Sequence, residues 1–400
     1  MTARTAETAG WAQNKDKERR STICEPIVLY CLGISPPKRW PLPAATIKTA
    51  HLTINHSPFK FLTKRLKQIF ILEKKKMSFA PLKIGSFCTS PVVGAPMAGV
   101  TDEPMRRVIR GFGGELLFTE MILAASLVHA HKQTRKMALC CETDCPVGVQ
   151  IEGTDPEVMA RAARIIEENG RAVLIDINMG CPVPKIVKSG GGAALMNDPE
   201  RAEKIVKAVV SAVRLPVTVK FRLGWDENRL NYRDFALRMQ DAGAAAVTLH
   251  ARTRRQFYGG AADRAAVEEL KKILSVPVIA NGDVRVPDDA EKVLSETGAD
   301  AVMIGRGLLG KPWILSRCSA ALEGRKIFDP PDVCRVVLDH FDKMAKYYGH
   351  KAIFIARKHI AWYSLGIKGG AAFREKVNNT VREADLLALI REFFGGSHGK

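Results

Sequence analysis

The sequence predicts a TIM (β/α)8 barrel, a closed parallel α/β barrel, followed by a smaller C-terminal all-α helical domain. Three observations predict it: eight short β-branched runs from Pro91 onward, amphipathic helical stretches between them, and the loss of strand runs after Leu322. The eight runs are Val92 to Ala95, Glu115 to Phe118, Val147 to Ile151, Val173 to Ile177, Val217 to Phe221, Ala246 to Leu249, Val276 to Ala280 and Ala301 to Ile304. Helical periodicity follows at Pro156 to Asn169, Pro199 to Val213, Tyr232 to Ala242, Arg264 to Leu274 and Pro287 to Thr297, several with proline in the first turn. Pro330-Pro331 marks the change to a helical region with segments Asp332 to Tyr348, Lys351 to Leu365 and Asn378 to Phe394, broken at Gly349 and at Gly366 to Gly370. The expected organisation is a basic extension over residues 1–80, a barrel over 81–323 and a helical domain over 324–400.

Nothing in residues 1–76 sustains a period, and six prolines interrupt the stretch, so little stable structure is expected there. It reads either as a targeting segment or as an over-long start, since Met77 directly precedes the patterned region. The apolar run Ile23 to Ile34 contains Glu25 and Pro26 and is too short to span a bilayer, so no membrane partner is expected. The chain carries a formal net charge of +19, of which +10 lies in residues 1–76 and +9 in the rest. Such an excess suits a polyanionic partner. Nine scattered cysteines, an odd number, argue against a disulfide framework and for a reducing, cytoplasmic setting. Cys140, Cys141 and Cys145 lack companions at ligand spacing and read as loop thiols, so no metal is expected.

Barrel enzymes place their chemistry at the C-terminal ends of the strands. Strand four here ends in Ile177-Asn178-Met179-Gly180-Cys181-Pro182. A cysteine so placed is a nucleophile, a metal ligand, a proton donor, or simply a small buried hydrophobe. Strand seven ends in Asn281-Gly282-Asp283 and strand eight in Gly305-Arg306-Gly307, where glycines admit backbone amides to an anion and Arg306 adds a charge. Two such loops in succession point to a phosphate-bearing cofactor. Strand one runs into Pro96-Met97-Ala98-Gly99; strand three carries Gln150, strand five Lys220 and Arg222, strand six His250 and Arg252. A polar residue in a barrel strand is costly unless paired or met by a ligand. Lys220, flanked by Val219 and Phe221, is either half of a salt bridge or a cation for negative charge on a reduced cofactor. In the helical region, Lys351, Arg357, Lys358 and His359 lie close to Trp362 and Tyr363, a mixture that suits RNA phosphates and bases, or an ordinary helix with its aromatics turned inward.

Taken together, Pro96-Met97-Ala98-Gly99-Val100-Thr101-Asp102, Asn178-Met179-Gly180-Cys181-Pro182, Lys220-Phe221-Arg222-Leu223-Gly224-Trp225, Leu249-His250-Ala251-Arg252-Thr253, Asn281-Gly282-Asp283 and Ile304-Gly305-Arg306-Gly307 resemble the tRNA-dihydrouridine synthases. The likeness runs from about Pro81 to Ile367 and is greatest to the bacterial B-type, nitrogen-regulation-protein-like subgroup, whose helical domain matches Arg357-Lys358-His359-Ile360-Ala361-Trp362-Tyr363. Residues 1–76 have no counterpart in it. The resemblance implies an FMN-binding barrel that draws on NADPH and reduces the C5-C6 double bond of uridines in tRNA. By the same resemblance Pro96, Met97 and Ala98 line the flavin, Gln150 hydrogen-bonds its ring, Lys220 sits near its N1-O2 edge with His250 close by, and Asn281, Gly282, Asp283, Gly305 and Arg306 hold its phosphate end. Asn178 then faces the uracil and Cys181 is the general acid, while Arg252, Arg357 and Lys358 are expected to serve the RNA. The glycines of Lys188-Ser189-Gly190-Gly191-Gly192 suit a mobile loop able to carry Cys181 into place. A flavin barrel acting on free pyrimidines and a non-catalytic RNA-binding barrel are the rival expectations; the basic helical domain weighs against the first, and Cys181, Lys220 and both phosphate loops against the second.

Overall fold

The computed structural model describes residues 79–138 and 142–396. The expectations for the N-terminal extension, and those for Cys140 and Cys141, lie outside the described residues. Eight parallel strands form the barrel: β1 (Val92–Gly94), β2 (Leu117–Phe118), β3 (Val147–Glu152), β4 (Ala172–Met179), β5 (Val217–Arg222), β6 (Ala246–His250), β7 (Val278–Asn281) and β8 (Ala301–Ile304). Each pairs with the next in sequence from β2 to β8, and β8 returns to β1. The remaining seam is bridged by the Gly94 N–H, which donates to Leu116 O at 3.0 Å. All eight expected strands are present; a further two-residue strand, Ile122–Leu123, adds to β3.

Side chains alternate across each strand. On β4, Ile175, Ile177 and Met179 face the surrounding helices, whereas Leu174, Asp176 and Asn178 point into the barrel. Outward residues from β3 to β8, such as Val149, Val219, Phe221, Leu249 and Val302, form one apolar layer with Met159, Ile205, Phe235 and Leu270 of the helices. Inward residues nearest the strand starts, Val93, Leu174, Ala246, Ile279 and Ala301, form a second cluster. That cluster is closed by an antiparallel hairpin, Leu82–Ile84 with Phe87–Thr89, which the sequence patterning did not announce. Its Leu82 and Ile84 are fully buried, each worth roughly 2 kcal/mol of apolar transfer.

The expected barrel helices are present within a residue of their predicted ends: Pro156–Glu168, Pro199–Ala212, Tyr232–Asp241, Arg264–Ile273 and Pro287–Thr297. Asp155, Asp198 and Asp263 cap the first, second and fourth by accepting first-turn N–H groups, and proline fills the first turn of the first two.

The C-terminal region has its own core. Val336, Phe341, Ile353, Ile360, Phe373, Leu386 and Ile390 cluster with Val108 and Trp313 of the barrel. Four helices build it, Val333–Tyr348, Ala352–Tyr363, Gly370–Asn379 and Glu383–Gly395, rather than the three expected. The chain turns back into helix at Gly370 because Phe373 and Val377 offer a buried i, i+4 pair. It leaves helix at Thr380, whose extended carbonyl is held by Arg357 Nη2 at 2.7 Å. Among the described residues no helix is long and apolar enough to cross a membrane.

Candidate active site

A cavity of about 410 Å³ opens at the C-terminal ends of the strands, within the range of small-molecule sites. The β1 loop contributes Pro96, Met97 and Ala98; β3 gives Gln150; β4 and its turn give Asn178 and Cys181; β5 gives Lys220, and β6 gives His250. The loops after β7 and β8 supply Asn281, Gly282, Asp283, Gly305 and Arg306. Arg252, Arg357 and Lys358 lie outside the lining.

The floor is a continuous hydrogen-bonded network. Asp176 stands in register with Gln150 on one side and Thr218 on the other, and accepts from Gln150 Nε2 at 2.7 Å and Thr218 Oγ1 at 2.6 Å. Gln150 Oε1 accepts from Asn178 Nδ2 at 2.9 Å. Asn178 Oδ1 in turn accepts from the backbone N–H groups of Gly180 (3.2 Å) and Cys181 (2.9 Å). Beside this chain, Lys220 Nζ donates to Asn281 Oδ1 at 2.9 Å, and Asn281 Nδ2 donates to Met303 O at 2.7 Å. Burial raises the Asp176 carboxyl and lowers the Lys220 ammonium, while each charge favours the other's ionised form.

Cys181 is half-buried. Burial pushes its thiol above the usual value; the Glu152 carboxylate adds to the rise, and the Val183 N–H, Arg222 and Lys220 oppose it. The turn that carries it is held on two sides. Arg222 donates to Gly180 O at 2.8 Å and to Thr253 O and Phe257 O at 3.0 and 2.8 Å, tying the β4 turn to the β6 loop. On the other side Ala193 N–H donates to Cys181 O at 3.0 Å, and Glu152 accepts from the Gly192 N–H. Gly192 has φ +53°, and a Cβ there would lie 2.7 Å from Cys181 O. Position 192 therefore requires a glycine for close packing against Cys181.

At the other end of the cavity, Asp283 joins two arginines, accepting from Arg252 Nη2 at 2.7 Å and from Arg306 Nη2 at 3.3 Å. Burial acts to raise its carboxyl, but the Ala262 N–H and the Arg252 guanidinium outweigh it and hold the group below its usual value. Arg252 is almost fully buried, and its Nη1 has no partner among the described residues. A glycine is required at 307, where a Cβ would meet Val284 O at 2.5 Å; this brings the two expected phosphate loops together. His250 is held neutral by burial and by the cations Lys220, Arg222, Arg252 and Arg306.

Tyr258, which the sequence patterning passed over, lies at the mouth. Its ring is 54% exposed and stands 5.1 Å from the Arg306 guanidinium and 5.8 Å from that of Arg222. In the helical region Tyr363 turns into the core with His359, which favours the inward alternative for that ring, while Trp362 stays half-buried. The exposed ring there is Phe354, with the Arg357 guanidinium 5.0 Å from its centroid. Lys358 reaches the barrel rim: its Nζ would lie 3.0 Å from a Cβ on Gly99, and its charge acts on Asp102 and Glu120.

Residues 93–395 match the sequence model of the family described as dihydrouridine synthase (Dus). The chain is 42% identical over 319 residues to tRNA-dihydrouridine synthase B of Xanthomonas axonopodis pv. citri, covering 78% of this chain and 96% of that protein. A probable tRNA-dihydrouridine synthase of Rhodobacter capsulatus is 41% identical, covering 76% of this chain and 94% of the relative. Another from Rhizobium leguminosarum bv. phaseoli is 45% identical over 275 residues, or 68% of this chain and 84% of that one. Matched by the family model over residues 93–395 and by relatives 42% and 41% identical over most of its length, the chain belongs to the dihydrouridine synthase family of oxidoreductase enzymes.

Proposed function

We propose that the protein is an FMN-dependent tRNA-dihydrouridine synthase that reduces the C5-C6 double bond of uridines in tRNA with NADPH as the reductant. The observation that carries this reading is one cavity that combines a cationic, glycine-walled end, a donor-rich floor and a thiol kept protonated. The residues fit a flavin mononucleotide. Arg306, with the glycines of the loops after β7 and β8, suits its phosphate end; Pro96, Met97 and Ala98 suit the apolar ring; Gln150 and Lys220 suit its polar edge. When bound, the flavin supplies a hydride, drawn from NADPH, to C6 of the uracil.

Cys181 then holds the proton that C5 requires. A thiol is protonated at neutral pH yet acidic enough to be given up to an enolate-like carbon, and the upward push from burial keeps that proton in place until it is needed. The thiolate left behind is reprotonated from water. Asn178, anchored through its oxygen to the Cys181 backbone, has an N–H available for the uracil. Uracil stacked in folded tRNA cannot reach the floor, so the base is extruded into the mouth. There the exposed Tyr258 ring suits a base, and Arg357 and Lys358 on the helical domain suit the RNA backbone. A tRNA substrate agrees with a cytoplasmic location.

Two measurements test the proposal. Purified protein should carry or take up FMN with its yellow absorption, and tRNA from cells lacking the protein should lose dihydrouridine at positions that the restored gene recovers. A colourless protein that cannot be loaded with FMN, or an unchanged dihydrouridine map, overturns it.

A further inference from the structure

Asp176 lies beneath the cavity, fully buried and absent from its lining, yet it begins the chain of hydrogen bonds that ends at Cys181. We propose that Asp176 is a positioning residue: as an acceptor-only carboxylate it dictates which atom of Gln150 and of Asn178 faces the cavity, and thereby where Cys181 is held. The inference rests on the flavin and uridine assignment above.

The two ends of a side-chain amide are nearly identical in shape, so packing alone does not choose between them; their partners do. An ionised carboxylate offers no proton. Thr218 Oγ1 and Gln150 Nε2 therefore both donate to Asp176, which turns the Gln150 oxygen toward β4. That oxygen accepts from Asn178 Nδ2, which turns the Asn178 oxygen toward the backbone N–H groups of Gly180 and Cys181. Each amide is left with one uncommitted N–H, and both residues line the cavity. One buried acceptor thus presents two donors to the cavity and clamps the backbone of the proton-donating cysteine. Reversal of Gln150 would set its NH2 against the NH2 of Asn178, so Asn178 would have to reverse as well and release the Cys181 N–H. The hydrogen bonds from Thr218 and Gln150, and after them the Lys220 charge, favour the ionised form of Asp176 against burial.

The test uses the full chain loaded with FMN, with Asp176→Asn and Asp176→Leu beside the wild type. Asparagine keeps an oxygen for Gln150 when its NH2 faces the Thr218 hydroxyl; leucine of similar size keeps none. The Leu variant should bind FMN at least tenfold more weakly, with a shifted flavin absorption band, and its prereduced form should reduce uridine in tRNA at least tenfold more slowly in a single turnover. The Asn variant should recover both to within threefold. Wild-type spectrum and rate in the Leu variant, or an Asn variant as impaired as the Leu variant, overturn the proposal. Should the Leu variant not fold, Asp176→Thr, whose single hydroxyl can turn and donate, takes its place; it should lose at least threefold in both readouts, and wild-type behaviour in it is equally fatal. Failure of the underlying assignment shows elsewhere, in a wild type that binds no FMN or whose reduced form is not oxidised by tRNA.

Discussion

At the N-terminal end of the barrel the inward residues are Val93, Leu174, Ala246, Ile279 and Ala301, sealed by Leu82 and Ile84 of the hairpin. At the next inward positions β4 gives Asp176 and Asn178, β6 Thr248 and His250, and β7 Asn281, while β5 adds Lys220. One end is a packed apolar plug; the other is a hydrogen-bonded floor with cationic walls. The difference teaches where each part of the free energy goes. Apolar burial at the plug stabilises the fold, whereas burial at the floor is costly and is offset only by pairing, as between Asp176 and Gln150, Lys220 and Asn281, or Arg252 and Asp283.

Mutations should separate the two ends. Cys181→Ala has the largest expected effect: uridine reduction in a single turnover should fall about 10²–10⁴-fold, the range for a lost general acid, while FMN binding and flavin reduction by NADPH stay within about twofold. Equal loss in both half-reactions would remove the division of labour assigned to the cavity. Leu174→Ala, at the plug, should cost about 4 kcal/mol of stability in denaturant unfolding yet leave turnover per bound flavin unchanged; a turnover defect in the folded variant would mean that the ends are not separable.

The helical core provides a contrast of another kind, a buried titratable group without a cavity. His340 is fully enclosed beside Tyr363 and His359, and burial pushes its imidazole down to about 4. Its folded value lies below its unfolded one, so the unfolded chain takes up the proton first as pH falls. Stability present above about pH 6.5 is thus lost as pH falls toward 4, by up to about 3 kcal/mol. Unfolding midpoints at pH 7 and pH 4.5 should differ less in His340→Phe than in the wild type, and equal differences would clear this histidine of the effect. The smallest effect belongs to the half-exposed Arg306: Arg306→Ala should weaken FMN about tenfold, as expected for one charge-assisted contact, without moving the unfolding midpoint. An unfolding shift in place of an affinity change would make Arg306 a fold residue.

Much of this was legible in the chain. The eight strands were visible because they are short apolar runs, β-branched in all but β2, and the proposed phosphate loops because glycines directly follow β7 and β8. Asn178, Lys220 and His250 stood out as polar residues in apolar surroundings, and all three line the cavity. Asp176 was readable in retrospect: it lies two residues before Asn178, and positions two apart share a face. It passed unremarked because a lone aspartate between two isoleucines gives no local sign of its partners, which come from β3 and β5. Tyr258 left no periodic signal because it lies in a loop, directly after Phe257 with φ +52°. The split between Gly370–Asn379 and Glu383–Gly395 was hidden by glycines that read as a break but allow a new helix to begin.

By itself, the sequence determined the barrel, the strand ends that carry the chemistry, and the residue types found there, since alternation, periodicity and turn chemistry are local properties of the chain. Only the tertiary structure decided how those residues act on one another: which end of each amide faces the cavity, that Arg252 reaches Asp283 and not the cavity wall, and that His359 and Tyr363 are core. Hydrogen-bond direction and burial depend on the register between strands and on the docking of helices. These are set by closure of the whole barrel and by packing between distant segments, and no single stretch of sequence contains them.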